Sequence, residues 1–202
     1  MLKIFDWIII LLFGDCLKLD DLQFAYQAGV STAMCTWMVV ESVDYFLRNG
    51  SEVFMCMMDM TKAFDLVKHS ILFMKLIIGG LSKIFVRLLI IIYKLQYADV
   101  RWNNSFSECF PMTNGCRQGA ILSAIAYCYY CQELFTLLRR RRSGLWINGD
   151  YRGILGYSDD NVLCAPSIDG LQDMLRTCEE FAASHNLKFS TNPTNPRKSK
   201  TK

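Results

Sequence analysis

The stretch Gly156-Tyr157-Ser158-Asp159-Asp160-Asn161 constrains this chain more than any other. It sets two adjacent carboxylates between the apolar runs Ile154-Leu155 and Val162-Leu163. Short apolar runs on either side of a polar turn read as strand, tight turn, strand, with the acids at the tip. Alternation along an extended chain turns Asp159 and Asp160 to different sides, so one of them faces a reaction centre more squarely than the other. A third acid, Asp59, ends the distant apolar run Val53-Phe54-Met55-Cys56-Met57-Met58. Strand-end carboxylates brought together from distant sequence make a hard oxygen site suited to Mg²⁺. Such pairs support two-metal phosphoryl or nucleotidyl transfer. Acid pairs at turns are more often only solvated, so the rest of the chain has to decide between the two.

With 202 residues, 52% hydrophobic and 13% aromatic, the chain can form one domain with a substantial core. The net charge of +3 is too small to name a partner, but the cations cluster. Arg139, Arg140, Arg141 and Arg142 form one run, and Arg197, Lys198, Lys200 and Lys202 sit in the tail. Both groups are plausible phosphate contacts, although a solvated helix end and a loose basic tail are the commoner explanations. The nine cysteines fall mostly inside apolar runs and are odd in number. That pattern suits buried thiols in a reducing, intracellular compartment (cytoplasm or nucleus) better than disulfides. Cys128 and Cys131 form a CxxC with no second ligand pair, and the histidines, His69 and His185, are far apart in sequence, so zinc is not expected. The apolar run Trp7–Phe13 lies between Asp6 and Asp15 and is too short for a bilayer. No segment is expected to reach spanning length, and no membrane partner is expected.

Taken in order, residues 1 to 22 read as a helix plus an acidic loop, and Gln23 to Gln27 as a short strand or turn. Ser31 or Thr32 caps a helix from Ala33 to about Leu47, stopped at Asn49-Gly50. Residues 53 to 58 form a buried strand. Helices follow over 70 to 78 and over 82 to 94, the second capped by Ser82. Residues 98 to 112 form a hairpin around Asn103-Asn104-Ser105, and a polar Gly-bearing turn opens a long helix from about Ala120 to Arg140. Asn148-Gly149-Asp150 marks a second hairpin, between 145–147 and 151–157. Ser167 to about Ser184 is a helix, and Leu187-Lys188-Phe189 a last strand. The order predicts an α+β fold: a mostly antiparallel sheet backed by helices.

Three motifs then stand in a telling order: Asp59-Met60-Thr61-Lys62-Ala63-Phe64-Asp65, Arg117-Gln118-Gly119-Ala120-Ile121-Leu122-Ser123, and Tyr157-Ser158-Asp159-Asp160. Together they resemble motifs A, B and C of reverse transcriptases. The Ala-Phe-Asp and Arg-Gln-Gly forms are closer to non-LTR (LINE-like) retrotransposon enzymes than to retroviral ones. Gln23 to Thr32 is similar to the family's fingers motif upstream of motif A, and Leu187 to Ser199 to motif D. The resemblance implies a polymerase-like palm with partial helical fingers in one partial domain over 1–202. Fingers-like segments would fall at 1–52 and 67–117, palm at 53–66 and 118–190, and a basic tail at 191–202.

The resemblance also implies the chemistry: an RNA-directed DNA polymerase core that adds dNTPs to a primer 3′-hydroxyl on an RNA or DNA template. Asp59 and Asp159 would hold two Mg²⁺ ions (Mn²⁺ as a substitute), with the Met60 carbonyl as a further ligand and Asp160 as a less direct partner. Asp65 reads as structural. Phe64, five residues after Asp59, falls where the family keeps an aromatic under the incoming sugar, which would select deoxynucleotides. Gln118 and Gly119 would contact nucleotide and template, Lys198 would protonate the departing pyrophosphate, and Arg139 to Arg142 would contact nucleic-acid backbone.

The chain departs from the family at Ala124, where proline is usual, and at Ser158, where alanine is usual. It is also expected to lack the upstream fingers motifs, a thumb and an endonuclease. The alternative expectation is therefore a catalytically inactive retrotransposon-derived fragment, at most a weak nucleic-acid binder.

Overall fold

The apolar run before Asp59 and the two runs that flank Asp159-Asp160 meet in one sheet. The computed structural model describes residues 2–117 and 120–190. In chain order the first elements are α1 (Leu2–Phe13), a short 3₁₀ turn (Gly14–Leu17), α2 (Thr32–Arg48), β1 (Phe54–Met58), α3 (His69–Ile78) and α4 (Lys83–Lys94). Then come β2 (Tyr97–Ala98), β3 (Arg101–Trp102), β4 (Ser105–Phe106), β5 (Phe110–Pro111), α5 (Ile121–Cys131) and α6 (Glu133–Arg141). The chain continues with β6 (Trp146–Ile147), β7 (Asp150–Tyr151), β8 (Ile154–Tyr157), β9 (Asp160–Ala165) and α7 (Ile168–His185).

The central sheet has the antiparallel order β1-β9-β8. Its register runs from Phe54 opposite Ala165 to Met58 opposite Asn161, and from Ile154 opposite Leu163 to Tyr157 opposite Asp160. Both edges are extended. Residues Leu22–Phe24 lie parallel to β8, with the Phe24 N–H bonded to the Gly156 carbonyl and the Gly156 N–H to the Leu22 carbonyl, each at 2.8 Å. On the other side Met60 pairs antiparallel with Phe189, which places the expected last strand beside the end of β1. Helix α7 packs on β1 and β9, α6 packs on α7, α2 packs on β8, and α1 packs on α5. Leu155, Leu163, Met174, Tyr130 and Leu134 are fully buried between these layers. This is the expected α+β fold, a palm-type antiparallel sheet backed by helices, with helical segments before it and between β1 and α5.

Local chemistry explains the element boundaries. The Ser31 side chain accepts from the Met34 N–H at the start of α2, and the Ser167 hydroxyl accepts from the Gly170 N–H at 3.1 Å at the start of α7. Asn103-Asn104 and Asn148-Gly149 take positive φ at both turn positions, the conformation whose twist matches a two-residue hairpin. The first hairpin is interrupted between its two strand pairs, where the Ser107 hydroxyl takes the Val100 N–H at 2.9 Å.

Three features of the elements differ from expectation. Ser82 precedes α4 but makes no side-chain cap bond. The strand expected over 151–157 is split, because the Arg152 N–H turns to the Leu145 carbonyl before β8 begins. The helix expected over 120–140 is two helices joined at Gln132, whose carbonyl accepts from both Phe135 and Thr136. Taken end to end, Ile121–Arg141 is 21 residues, long and apolar enough to cross a membrane by length and composition. That corrects the expectation that no segment reaches spanning length. In this fold the helix runs through the core, with Tyr127, Tyr130, Leu134 and Leu138 fully buried.

Candidate active site

Asp59 lies one step past the Met58–Asn161 pair, so the register carries it alongside Asp160, the first residue of β9. Neighbouring strands are about 4.8 Å apart, which brings the end of β1 and the tip of the β8–β9 hairpin together. Asp59 and Asp160 are exposed, and Asp159 is half-buried. The Asp160 carboxyl is pushed above its usual value near 3.8, first by desolvation and then by the charges of Asp159 and Asp59. All three causes act in the same direction, so negative charge is crowded at the strand ends. Removing one charge should therefore relieve repulsion. Asp160→Asn is expected to raise the melting temperature at about pH 7, by the equivalent of less than about 1 kcal/mol because the group is exposed. A carboxyl with a raised folded-state pKa destabilises the fold only when ionised. The difference should shrink as pH falls through that pKa and vanish below about 3.8. Melting curves of both proteins against pH check this.

The turn between the strands is Ser158-Asp159, with φ +61° at Ser158 and no positive φ at Asp159. Positive φ at the first position alone is the type II′ pattern, which favours glycine. A left-handed conformation costs an L-residue roughly 1–2 kcal/mol, so other contacts must hold Ser158. The Asn161 side chain donates to the Asp159 carbonyl at 3.1 Å and pins the second turn residue. Gly156 leaves room for this arrangement, since a Cβ there would lie 2.6 Å from Asn161 Oδ1 and 2.8 Å from Phe135 Cζ.

Beyond Asp59 the chain is tied to residues 188–190. The Thr61 N–H donates to the Lys188 carbonyl at 2.9 Å, and the Ser190 N–H to the Asp59 carbonyl at 2.8 Å. The Met60 N–H and carbonyl take no part in those bonds. Its thioether accepts from the fully buried Tyr127 hydroxyl at 3.0 Å. Phe64 packs on the Tyr127 ring with centroids 4.6 Å apart. The Tyr127 hydroxyl is pushed far above its usual value, chiefly by desolvation, with Asp159 among the contributing charges. Tyr127 thus joins Met60, the residue after Asp59, to Phe64.

The turn carrying Phe64 is also bonded to the loop before α5. The Cys116 N–H donates to the Phe64 carbonyl at 2.7 Å and the Gly115 N–H to the Val67 carbonyl at 2.9 Å. Gly115 has φ +93°, and a Cβ there would lie 3.1 Å from the Asp65 backbone, so this close approach needs glycine. Phe64, Arg117, Ala120, Ile121 and Ser123 then line a cavity of about 430 Å³, with Tyr26 from the Gln23–Thr32 segment on another wall. The carboxylates do not line it.

A larger concavity, about 1200 Å³, lies elsewhere, between the loop at Lys18–Leu22, α6 and the β6–β7 hairpin. Of the residues singled out in the sequence, Arg139 and Arg140 line it. Arg139 makes a two-pronged bond to Asp20 at 2.9 and 3.0 Å, and Arg141 pairs with Glu180 at 3.1 Å and Asp173 at 3.7 Å. Arg140 and Arg142 enter none of these pairs. Gln118, Gly119 and Lys198 lie outside the described residues. Sequence reasoning missed the roles of Tyr127 and Tyr26 and the side-chain bonds of Gln23. Only Gln23 carried a signal, as a lone amide in the apolar run Leu22-Gln23-Phe24-Ala25.

Among the described residues, no group of three or more His, Cys, Asp or Glu is arranged to hold a metal ion. Mg²⁺ usually takes one or two carboxylates and completes its shell with water and substrate phosphates. Exposed strand-end carboxylates with crowded negative charge suit that mode of binding.

Residues 1–200 match the family model described as "Reverse transcriptase (RNA-dependent DNA polymerase)". The chain belongs to the reverse transcriptase family. A curated relative is the Transposon TX1 uncharacterized 149 kDa protein of Xenopus laevis. It is 28% identical over 156 residues, covering 76% of this chain and 12% of that protein. Among solved structures, telomerase from Candida albicans, in complex with a TWJ fragment of telomeric RNA, matches with TM-score 0.64 at 13% identity. The match covers 95% of this chain and 35% of the telomerase. The corresponding Candida tropicalis telomerase complex gives TM-score 0.62 at 14% identity, over 91% and 32% of the two chains. At such identities the telomerase matches establish the polymerase fold alone. As a reverse transcriptase domain with a transposon relative, this chain carries the first and third of its motifs at the ends of β1 and of the β8–β9 hairpin.

Proposed function

We propose that this chain is an RNA-directed DNA polymerase core that extends a primer with dNTPs by metal-assisted nucleotidyl transfer. The observation that carries the reading is the strand register that brings Asp59 and the Asp159-Asp160 hairpin tip to one end of the central sheet. Asp59 and Asp159 would hold Mg²⁺, with the Met60 carbonyl as a further ligand, and Asp160 would orient the site. When bound, the metal would acidify the primer 3′-hydroxyl and neutralise the triphosphate and leaving pyrophosphate.

The chain's own residues shape the rest. The cavity beside Phe64 receives the incoming nucleotide, and the Phe64 ring, backed by Tyr127, crowds a 2′-hydroxyl and offers it no partner. Gln118 and Gly119 contact nucleotide and template, and Lys198 protonates the departing pyrophosphate. Arg140 and Arg142 contact the nucleic-acid backbone. Arg139 and Arg141 contribute to that surface with charge already shared with Asp20, Asp173 and Glu180. The telomerase neighbours were solved with an RNA fragment, which supports a nucleic-acid template for this chain too. The site would work in the nucleus or cytoplasm.

The test is primer extension on poly(rA)–oligo(dT) with dTTP and Mg²⁺. Extension that a chelator stops is expected, and no extension by purified, folded chain would overturn the reading. Phe64→Ala should lower the preference for dTTP over UTP by about 10-fold or more, read as the ratio of the two kcat/KM values.

A further inference from the structure

The sharp turn that carries Asp159 is held by a residue far away in sequence. Gln23 is 1% exposed. Its Nε2 donates to the Ser158 carbonyl at 3.2 Å, and its Oε1 accepts from the Ser158 N–H at 2.8 Å and the Ala25 N–H at 3.1 Å. One side-chain amide therefore holds both backbone polar groups of the left-handed residue next to Asp159. The same segment is bonded to Gly156 on both sides of Gln23, so the amide is fixed from its own backbone outward. The Gln23 N–H also donates to the Asp20 carbonyl at 2.9 Å, and Gln27 Nε2 donates to the Gln23 carbonyl. Asp20 in turn is clasped by Arg139. Tyr26, three residues on from Gln23, lines the cavity beside Phe64.

We propose that Gln23 is a positioning residue that locks the Ser158 turn and so sets the aim of the Asp159 carboxylate. The inference rests on the polymerase reading of this site. Glutamine has the required chemistry because one short group must both donate and accept. An ionised glutamate can only accept, and methionine fills the space without a donor.

The experiment compares the chain with Gln23→Met and Gln23→Glu, well below the melting temperature of each. Amide hydrogen exchange is read at Ser158 and, as a control for the fold, at Leu163 in β9. Steady-state primer extension is read in parallel on poly(rA)–oligo(dT) with dTTP and Mg²⁺. In Gln23→Met, Ser158 exchange should accelerate at least about 10-fold while Leu163 stays protected. In the same variant kcat should fall about 10- to 100-fold with KM for dTTP little changed, the signature of a displaced reacting group. In Gln23→Glu, activity relative to the parent should rise as pH falls from about 8 to about 6, because burial raises the glutamate pKa and the protonated acid regains the donor. Unchanged Ser158 exchange in both variants would overturn the proposal. So would a kcat loss in Gln23→Glu that does not vary with pH. If the parent itself does not extend primer, the polymerase reading fails, and the Ser158 exchange rates still decide whether Gln23 holds the turn.

Discussion

Replacing Asp159 by alanine is expected to reduce primer extension at least about 1000-fold while leaving the melting temperature nearly unchanged. The size of the loss follows from asking one carboxylate to help hold the divalent metal on which the chemistry depends. The small effect on stability follows from position. Asp159 is half-buried at a turn tip, and its side chain adds to the charge crowding felt by Asp160. Asp59→Ala should behave in the same way, since Asp59 stands one register step past Met58 and also raises the Asp160 pKa. Removing both should cost little more than removing one, because residues that act as a unit are strongly non-additive. Initial rates with Mg²⁺ and Mn²⁺, beside thermal melts, check all of this.

Gly156→Ala is expected to be the most damaging small substitution in the sheet, destabilising the chain by about 1–3 kcal/mol. The new methyl would sit 2.6 Å from Asn161 Oδ1 and 2.8 Å from the Phe135 ring. Neither neighbour has room to yield, since Asn161 is 4% exposed and Phe135 is 2% exposed. Gly156 also bonds through its backbone to both Leu22 and Phe24, so a shift of β8 to relieve the clash would pull on Gln23. Primer extension should therefore fall by more than the loss of stability alone explains. Denaturant unfolding gives the first quantity, and kcat measured where both proteins are fully folded gives the second.

The parts of this architecture that depend on neighbours in sequence were legible. Asn148-Gly149 and Asn103-Asn104 supply positive φ at hairpin turns, Ser31 caps a helix, and the apolar run before Asp59 is a strand, although one that leaves Met55 and Met57 exposed where a buried strand was expected. The α+β fold followed from the order of helices and strands, and the family from the order of the three motifs, which no single motif carried. What depends on the third dimension was not legible. Nothing in the spacing of Tyr127 says that its hydroxyl meets the Met60 sulfur and its ring backs Phe64. Nothing in an arginine run says that Arg139 clasps Asp20 across the chain, a pair that depends on where α6 ends relative to the acidic loop. The joint at Gln132 left no mark, because its backbone remains helical (φ −63°, ψ −21°). Gln23 is the intermediate case. A lone buried amide must find partners, so its importance could be read from the sequence, but its partner, the turn 135 residues away, could not.

The measurement that bears most directly on the central claim is anomalous diffraction from crystals of this chain grown with Mn²⁺, a primer–template and a dNTP that cannot be incorporated. An anomalous peak ligated by the carboxylates of both Asp59 and Asp159, beside Asp160 and next to the Phe64 cavity, is the expected result. A nucleotide bound with no metal at those two carboxylates, or Mn²⁺ held elsewhere while they face only solvent, would contradict it.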